Sequence, residues 1–441
     1  MDIVLFKISD LRIRDHEPLY TANKTNNNII HIFIWDYRWD DKTSNDILIM
    51  GKYKKKFLKE SLQNLFDNLN KMNIHLNIYY GNPDIIITDL IDKYKIQNIY
   101  TYQDINNPIN TTSKIHYFWN NTMYHISDLP FTIENLPDSF TEFKKQIKIR
   151  ARKEFFTQSN NKSIKLDESI KINDIDIPET ELFIKGGEDY GWKYLKTLFR
   201  PNNISNYKQD RNNLISTCDL SPWLDFGCLS AKSIFYQLKM YEKNKQKNES
   251  TYLFWSDMLL RDYYKFKSIK LKNKLFEKNG DSNKTYNYSN NKVSFDKWIN
   301  GQTGIPLIDA CMIQIKNTGY ISNKGRTIIS SFLINDLNLE WILGAEYLNK
   351  MLINSEISYN YGIWQYIAGI GNLSDNNIYF NPIKQCQLYD KNCTFIKKWI
   401  PELKEKSNDE LIDPNDGISE YHDLLVKINF INKKVYNVVN P

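Results

Sequence analysis

The chain of 441 residues has no apolar run of the roughly 20 residues that a membrane-spanning helix needs, so no membrane span is expected. Its start, MDIVLFKISDLR, reads as a short strand and lacks the pattern of a secretory signal. Cysteine is scarce: Cys218, Cys228, Cys311, Cys386 and Cys393 are an odd number, with no CxxC pair. That argues against a disulfide framework and a zinc site. It points to a reducing intracellular compartment, cytoplasm or nucleus, with an organelle left open. The six histidines are scattered without HExxH spacing, so no metal is expected. No GxGxxG follows any strand-like run, so the dinucleotide fingerprint is missing. Strong charge is missing as well: Lys plus Arg number 58 against 52 Asp plus Glu. This mild positive excess is compatible with nucleic-acid binding without demonstrating it, and runs such as Lys52 to Lys56 read as solvated faces.

What is present fits two domains with separate cores. Residues 3–8, 29–35, 75–80 and 97–102 are apolar runs rich in Ile, Tyr and Phe and read as strands. Between them, Phe57, Leu58, Ser61, Leu62, Leu65, Phe66 and Leu69 repeat at helical spacing. A second helix is predicted after Pro83, with Ile86, Leu90 and Ile91 inward. Strands alternating with helices predict an N-terminal α/β, Rossmann-like parallel-sheet domain over 1–130. Residues 131–200 read as a linker, polar and aperiodic over 157–180, and Gly186–Gly187 reads as a turn. Thr217 and Ser221 precede a helical pattern and look like caps, whose free amides attract phosphate.

Residues 201–441 are predicted to be all-helical, organised around Gly301–Tyr366. Gly304 followed by Pro306 marks a helix start, and Leu307, Ile308, Cys311, Met312 and Ile315 line one face. Ile328, Ile329, Phe332 and Leu333 form a second face, and Trp341, Ile342, Ala345 and Leu348 a third. Asn323, Lys324 and Arg326 cluster at one connection, and Asn360, Trp364 and Gln365 at another. Such polar groups at the ends of buried helices predict a pocket with a few directed hydrogen bonds.

The runs TGIPLIDA, TGYISNKGR and YNYGIWQYIAGIGN, and FNPIKQCQLYD followed by WIPEL, closely resemble motifs of the photolyase/cryptochrome family. DLRIRDHEPLY, TMYHISDLPF and LPDSFTEFKK resemble its DASH branch. The resemblance implies that 201–441 is an FAD-binding domain. It implies that Tyr207, Thr217, Cys218, Asp219, Leu220 and Ser221 lie along the flavin diphosphate, with Asp257, Arg261, Asn323, Arg326, Asn354, Glu356 and Asn360 as further flavin contacts. Asn360 matches the residue facing flavin N5, and its amide can both donate and accept. Trp364 and Trp341 match the inner and middle members of a tryptophan electron-transfer chain, with Tyr288 at the outer position. Toward DNA the resemblance implies Leu260, Asn323, Lys324 and Tyr366, and for a methenyltetrahydrofolate antenna it implies Asp104.

The activity implied is that light-excited reduced FAD passes an electron to a cyclobutane pyrimidine dimer, mainly in single-stranded DNA. The family pattern is broken in the lesion pocket. Asp257 stands in place of a Glu that hydrogen-bonds the dimer, Leu260 in place of a Trp that packs on it, and Asn354 and Glu356 in place of two aspartates. Losing an aromatic platform removes roughly 1–3 kcal/mol of base stacking. The competing expectation is therefore a blue-light photoreceptor or DNA-binding flavoprotein with weak or no repair. A monomer is expected in either case.

Overall fold

A computed structural model describes residues 1–25, 27–103, 113–119, 122–148, 152–158, 162–215, 220–280, 287–370 and 378–428. The chain divides into two compact units. One comprises Met1–Thr132, Ile147–Ser205 and Asp219–Asp262, the other Ile133–Gln146, Asn206–Cys218 and Tyr263–Pro441. This cuts the chain elsewhere than at 130 and 200, and side-chain contacts give the reason. Within the first unit, the Glu188 carboxylate holds the backbone N–H groups of Ile13 and Arg14 at 2.7 and 3.1 Å, fastening the expected linker to the sheet. Within the second, Phe140 and Phe143 pack their rings on Tyr263, 5.9 and 5.3 Å between centroids.

The sheet unit is built on five parallel strands in the order β3-β2-β1-β4-β5. They are β1 Asp2–Phe6, β2 Ile29–Trp35, β3 Leu76–Tyr80, β4 Asn98–Tyr102 and β5 Lys114–Phe118. Register pairs Ile3 with Ile30 and Leu5 with Ile32. Because side chains alternate across a strand, these residues share one face with Ile34 and Ile99, and the helix Pro83–Tyr94 covers it with Ile87, Leu90 and Ile91. Four strands were expected. The fifth escapes a hydrophobicity reading because KIHYF is a half-exposed edge, with Tyr117 42% exposed. The Gly186–Gly187 pair, expected as a turn, leads into the helix Glu188–Leu198, with Gly187 at its N-cap position. The pair lies against the helix Lys52–Asn70, where a Cβ on Gly186 would stand 2.4 Å from the Phe57 carbonyl oxygen. Gly187 adopts φ +116°, which favours glycine.

In the helical unit, Pro306 opens the helix Pro306–Thr318 at its first position, as expected. Asp309 in its first turn is fully buried and accepts from the Thr303 N–H and hydroxyl, the Gly304 N–H and the Tyr421 hydroxyl. Burial outweighs these bonds and raises its carboxyl to about 6. Ser322 caps the helix Asn323–Ser331 through the Gly325 N–H, and the chain then widens into a π-helical turn over Phe332–Asp336. The helices Trp341–Met351, Ile357–Ile367, Pro382–Tyr389 and Thr394–Trp399 follow. Of the expected third face, Trp341, Ala345 and Leu348 are buried, joined by Gly344, while Ile342 is half-buried. No helix among the described residues is long and apolar enough to cross a membrane.

Candidate functional site

The polar residues expected on connections stand on helices. Asn323, Lys324 and Arg326 form the first turn of Asn323–Ser331, and Asn360, Trp364 and Gln365 lie inside Ile357–Ile367. Glu356 caps that second helix by accepting from the Tyr359 N–H at 2.9 Å. The Tyr359 hydroxyl reaches Asn323 Oδ1 at 3.4 Å. The buried Arg326 donates to the main-chain carbonyl of Asn354 at 2.7 Å. The acceptor in this bond is the backbone of Asn354, not its side chain.

Asn360 and Trp364, four residues apart, share one helix face. Both are 0% exposed. Asn360 Nδ2 donates to the Ala345 carbonyl at 2.9 Å, while its Oδ1 and the Trp364 indole Nε1 are buried without a hydrogen-bond partner. A buried acceptor and a buried donor left unmade each cost on the order of 1–3 kcal/mol. A planar heteroaromatic group carrying both N–H and C=O groups at its edge would meet both needs, and an apolar filler would meet neither. The isoalloxazine of FAD fits that requirement.

Trp341 opens the helix Trp341–Met351 and its indole N–H donates to the Lys278 carbonyl at 3.0 Å. The Lys278 ammonium in turn lies 5.6 Å above the Tyr288 ring. The backbone of Ser289 pairs with Asn338 and Leu339, so the segment that carries Tyr288 runs beside the residues just before Trp341. Tyr361 meets Trp341 edge-on at 6.1 Å. Lys278 and Tyr361 were missed in the sequence. Lys278 is 63 positions from Trp341 and carries no local signal. Gly344 was missed too, although a lone glycine inside an apolar helical run is a packing signal. A Cβ there would stand 2.1 Å from the Trp364 ring.

Lys324 is 6% exposed, with its ammonium 4.6 Å from the Tyr389 ring centre and 5.7 Å from that of Phe380. Burial, and then the charge of Arg211, lower its ammonium to about 8. Tyr366 is half-buried, and burial raises its phenol. Tyr207 opens a short helix of the same unit, Tyr207–Asp210.

Leu220, Ser221, Asp257, Leu260 and Arg261 belong to the sheet unit. Leu220 is buried, and Ser221 is the first residue of the helix Ser221–Asp225, not its cap as expected; the cap position is Leu220, without a side-chain bond. Asp257, Leu260 and Arg261 lie on the helix Glu249–Leu271. Leu260 is 7% exposed, and Arg261 donates to the Leu224 carbonyl at 3.4 Å with Asp225 at 4.0 Å. Asp104, Thr217, Cys218 and Asp219 lie outside the described residues. Among the described residues no cluster of His, Cys, Asp or Glu could hold a metal.

Residues 252–436 match the family of the FAD binding domain of DNA photolyase, and residues 2–160 match DNA photolyase. The chain is therefore a flavoprotein in its helical part. It is 34% identical over 440 residues to a cryptochrome DASH of Synechocystis, covering 92% of this chain and 88% of that one. It is 33% identical to the chloroplastic/mitochondrial cryptochrome DASH of Solanum lycopersicum, covering 91% and 77%. The crystal structure of a Synechocystis cryptochrome superposes with a TM-score of 0.91 at 32% identity, covering 97% of this chain and 96% of that one. The chain belongs to the photolyase/cryptochrome family.

Proposed function

We propose that the protein is a light-driven lyase that splits cyclobutane pyrimidine dimers, chiefly in single-stranded DNA. The observation that carries this is the pair of unmet polar atoms on one helix face, Asn360 Oδ1 and Trp364 Nε1. When bound, the flavin supplies the photoexcited electron. The chain's residues do the rest. Asn360, held by the Ala345 carbonyl, offers its oxygen to a ring N–H. In the helical unit Arg326, Asn323, Tyr207, Asn354 and Glu356 would hold the cofactor, and by resemblance to the family Thr217–Ser221 and Arg261 would add contacts. Trp364, Trp341 and Tyr288 relay electrons from solvent, with Lys278 holding the last two together. Asp257 hydrogen-bonds the lesion, and Leu260, Lys324 and Tyr366 meet the DNA. Single-stranded substrate suits this reading, because a dimer in a duplex must first leave the base stack. Asp104 is the antenna contact if methenyltetrahydrofolate binds.

The second reading, a photoreceptor or DNA-binding flavoprotein without turnover, draws on Leu260: a buried aliphatic side chain offers no stacking face. The deciding experiment is repair by the flavin-loaded, reduced protein under blue light. One thymine-dimer oligonucleotide is offered single-stranded and as a duplex, with a dark control. Light-dependent dimer loss on the single strand is expected. Flavin photoreduction without any dimer loss would overturn the lyase reading and favour the second.

Lys324 adds a pH signature. An ammonium lowered to about 8 is charged at pH 7 and mostly neutral at pH 9. Affinity for a single strand should fall over that interval by about tenfold, the scale of one charge-assisted phosphate contact. Lys324→Arg stays charged, so its affinity, read by fluorescence anisotropy, should stay flat. Parallel decline in both proteins would remove Lys324 from the DNA contact.

A further inference from the structure

We propose that Tyr359 is a stacking platform for one unpaired base of a DNA single strand. The inference rests on the reading of DNA as the substrate and adds a base site to it. Tyr359 stands in the first turn of the helix Ile357–Ile367 and is half-buried. At about 100° per residue, Tyr359, Gly362 and Tyr366 fall on one face of that helix. That face is turned by about 100° from Asn360. The helix therefore carries the unmet polar atoms of Asn360 and Trp364 on one side and a row of two tyrosines on another.

Three contacts fix Tyr359. Its N–H donates to the Glu356 carboxylate at 2.9 Å, and its hydroxyl donates to Oδ1 of the exposed Asn323 at 3.4 Å. Its ring meets that of Tyr264 at 5.4 Å and 85°, a T-shaped contact. Tyr264 is 5% exposed, and it packs here because residue 362 has no side chain: a Cβ on Gly362 would stand 2.2 Å from the Tyr264 ring. A tyrosine braced by a buried ring and tied at its tip has little rotamer freedom left to lose when a base arrives.

A neighbouring charge says what arrives. Lys324 follows Asn323 in the first turn of Asn323–Ser331. Among the described residues its ammonium meets the rings of Tyr389 and Phe380 and no carboxylate. A cation without a counter-ion suits a phosphate, and a fixed aromatic ring suits the base attached to it. These are the two parts of a single-strand site that does not read sequence. Leu260, on the sheet unit, offers no stacking face. Tyr359 gives the helical unit one of its own.

The test uses the flavin-loaded full chain in the dark, with affinity read by fluorescence anisotropy. The probes are a lesion-free thymidine strand of about ten nucleotides and an abasic strand of the same length and charge. Tyr359→Leu keeps an apolar side chain against Tyr264 and removes the stacking face. It should weaken binding of the thymidine strand about tenfold, within the range of one base–aromatic contact. Binding of the abasic strand should not change, because no phosphate contact is touched. Tyr359→Phe keeps the ring and should stay within about twofold of the native chain on both strands. Equal affinity of Tyr359→Leu and the native chain for thymidine would overturn the proposal. So would an equal loss on both strands, which marks a structural role, or a loss in Tyr359→Phe as large as in Tyr359→Leu. No binding of either strand by the native chain would overturn the DNA reading with it, whereas a failure of light-driven repair would leave the stacking result standing.

Discussion

Gly344→Ala destabilises the helical unit by about 2 kcal/mol and displaces the Trp364 ring. The added Cβ would stand 2.1 Å from one ring carbon and 2.7 Å from two more. Trp364 is 0% exposed, so moving its ring disturbs the residues packed around it. Overpacking of this kind costs about 1–3 kcal/mol, with a full ring collision at the upper end. Alanine returns about 1 kcal/mol through helix propensity, and the net loss remains. The ring that moves carries the unmet Nε1, so flavin retention through gel filtration should fall with stability. Trp364→Phe in the same chain shortens the ring and should recover most of the lost urea midpoint. Equal midpoints for the native chain and Gly344→Ala would show that the helix crossing is looser than described.

Glu188 gives the second large effect, and its sign runs against that of most carboxylates. It is 4% exposed, and burial raises it from 4.5 to about 7, with the Ile13 and Arg14 amides and then the Arg12 charge opposing. Folding therefore takes up a proton. The favourable contribution is fully present below the unfolded value near 4.5 and is lost as pH rises through about 7. Moving from pH 8 to 5.5 should stabilise the sheet unit by about 2 kcal/mol through this group alone. Asp309, raised to about 6, acts in the same direction in the other unit. Urea unfolding of Glu188→Gln at both pH values isolates the contribution, because the amide does not titrate. The gain on acidification should shrink by about 2 kcal/mol in the variant. An unchanged gain would assign the pH dependence elsewhere.

The legible parts of the fold were those where periodicity and burial coincide. β1 to β4 are runs rich in buried Ile, Leu, Phe and Tyr, and the helices Lys52–Asn70 and Pro83–Tyr94 repeat buried apolar residues at helical spacing, so the pattern reveals them. β5 is an edge strand whose polar residues carry no such record. In the site, Asn360 and Trp364 could be found because both stand on one helix within a recognisable run. Lys278 beneath Trp341, and Glu188 beneath Ile13 and Arg14, could not: each acts on a partner far away in the chain. The distribution of candidates between the two compact units, with Leu220, Ser221, Asp257, Leu260 and Arg261 in one and Asn323, Arg326 and Asn360 in the other, follows from long-range packing that spacing does not encode.

The Asp309 network has a temporal side. Three of its four donated hydrogens come from Thr303 and Gly304, which the ribosome delivers just before it. The fourth comes from Tyr421, made 112 residues later. Bringing those ends together costs about 4 kcal/mol in chain entropy on a logarithmic loop scale. Residues 423–425 close over the same corner: a Cβ on Gly304 would stand 2.8 Å from the Asp423 carbonyl oxygen, and the Leu425 N–H donates to Thr303. During translation the first helix turn at Pro306 therefore waits with its carboxylate uncovered and one bond short. The helical unit is sealed only once that late segment emerges, so a ribosome stalled before residue 421 holds a protease-sensitive chain.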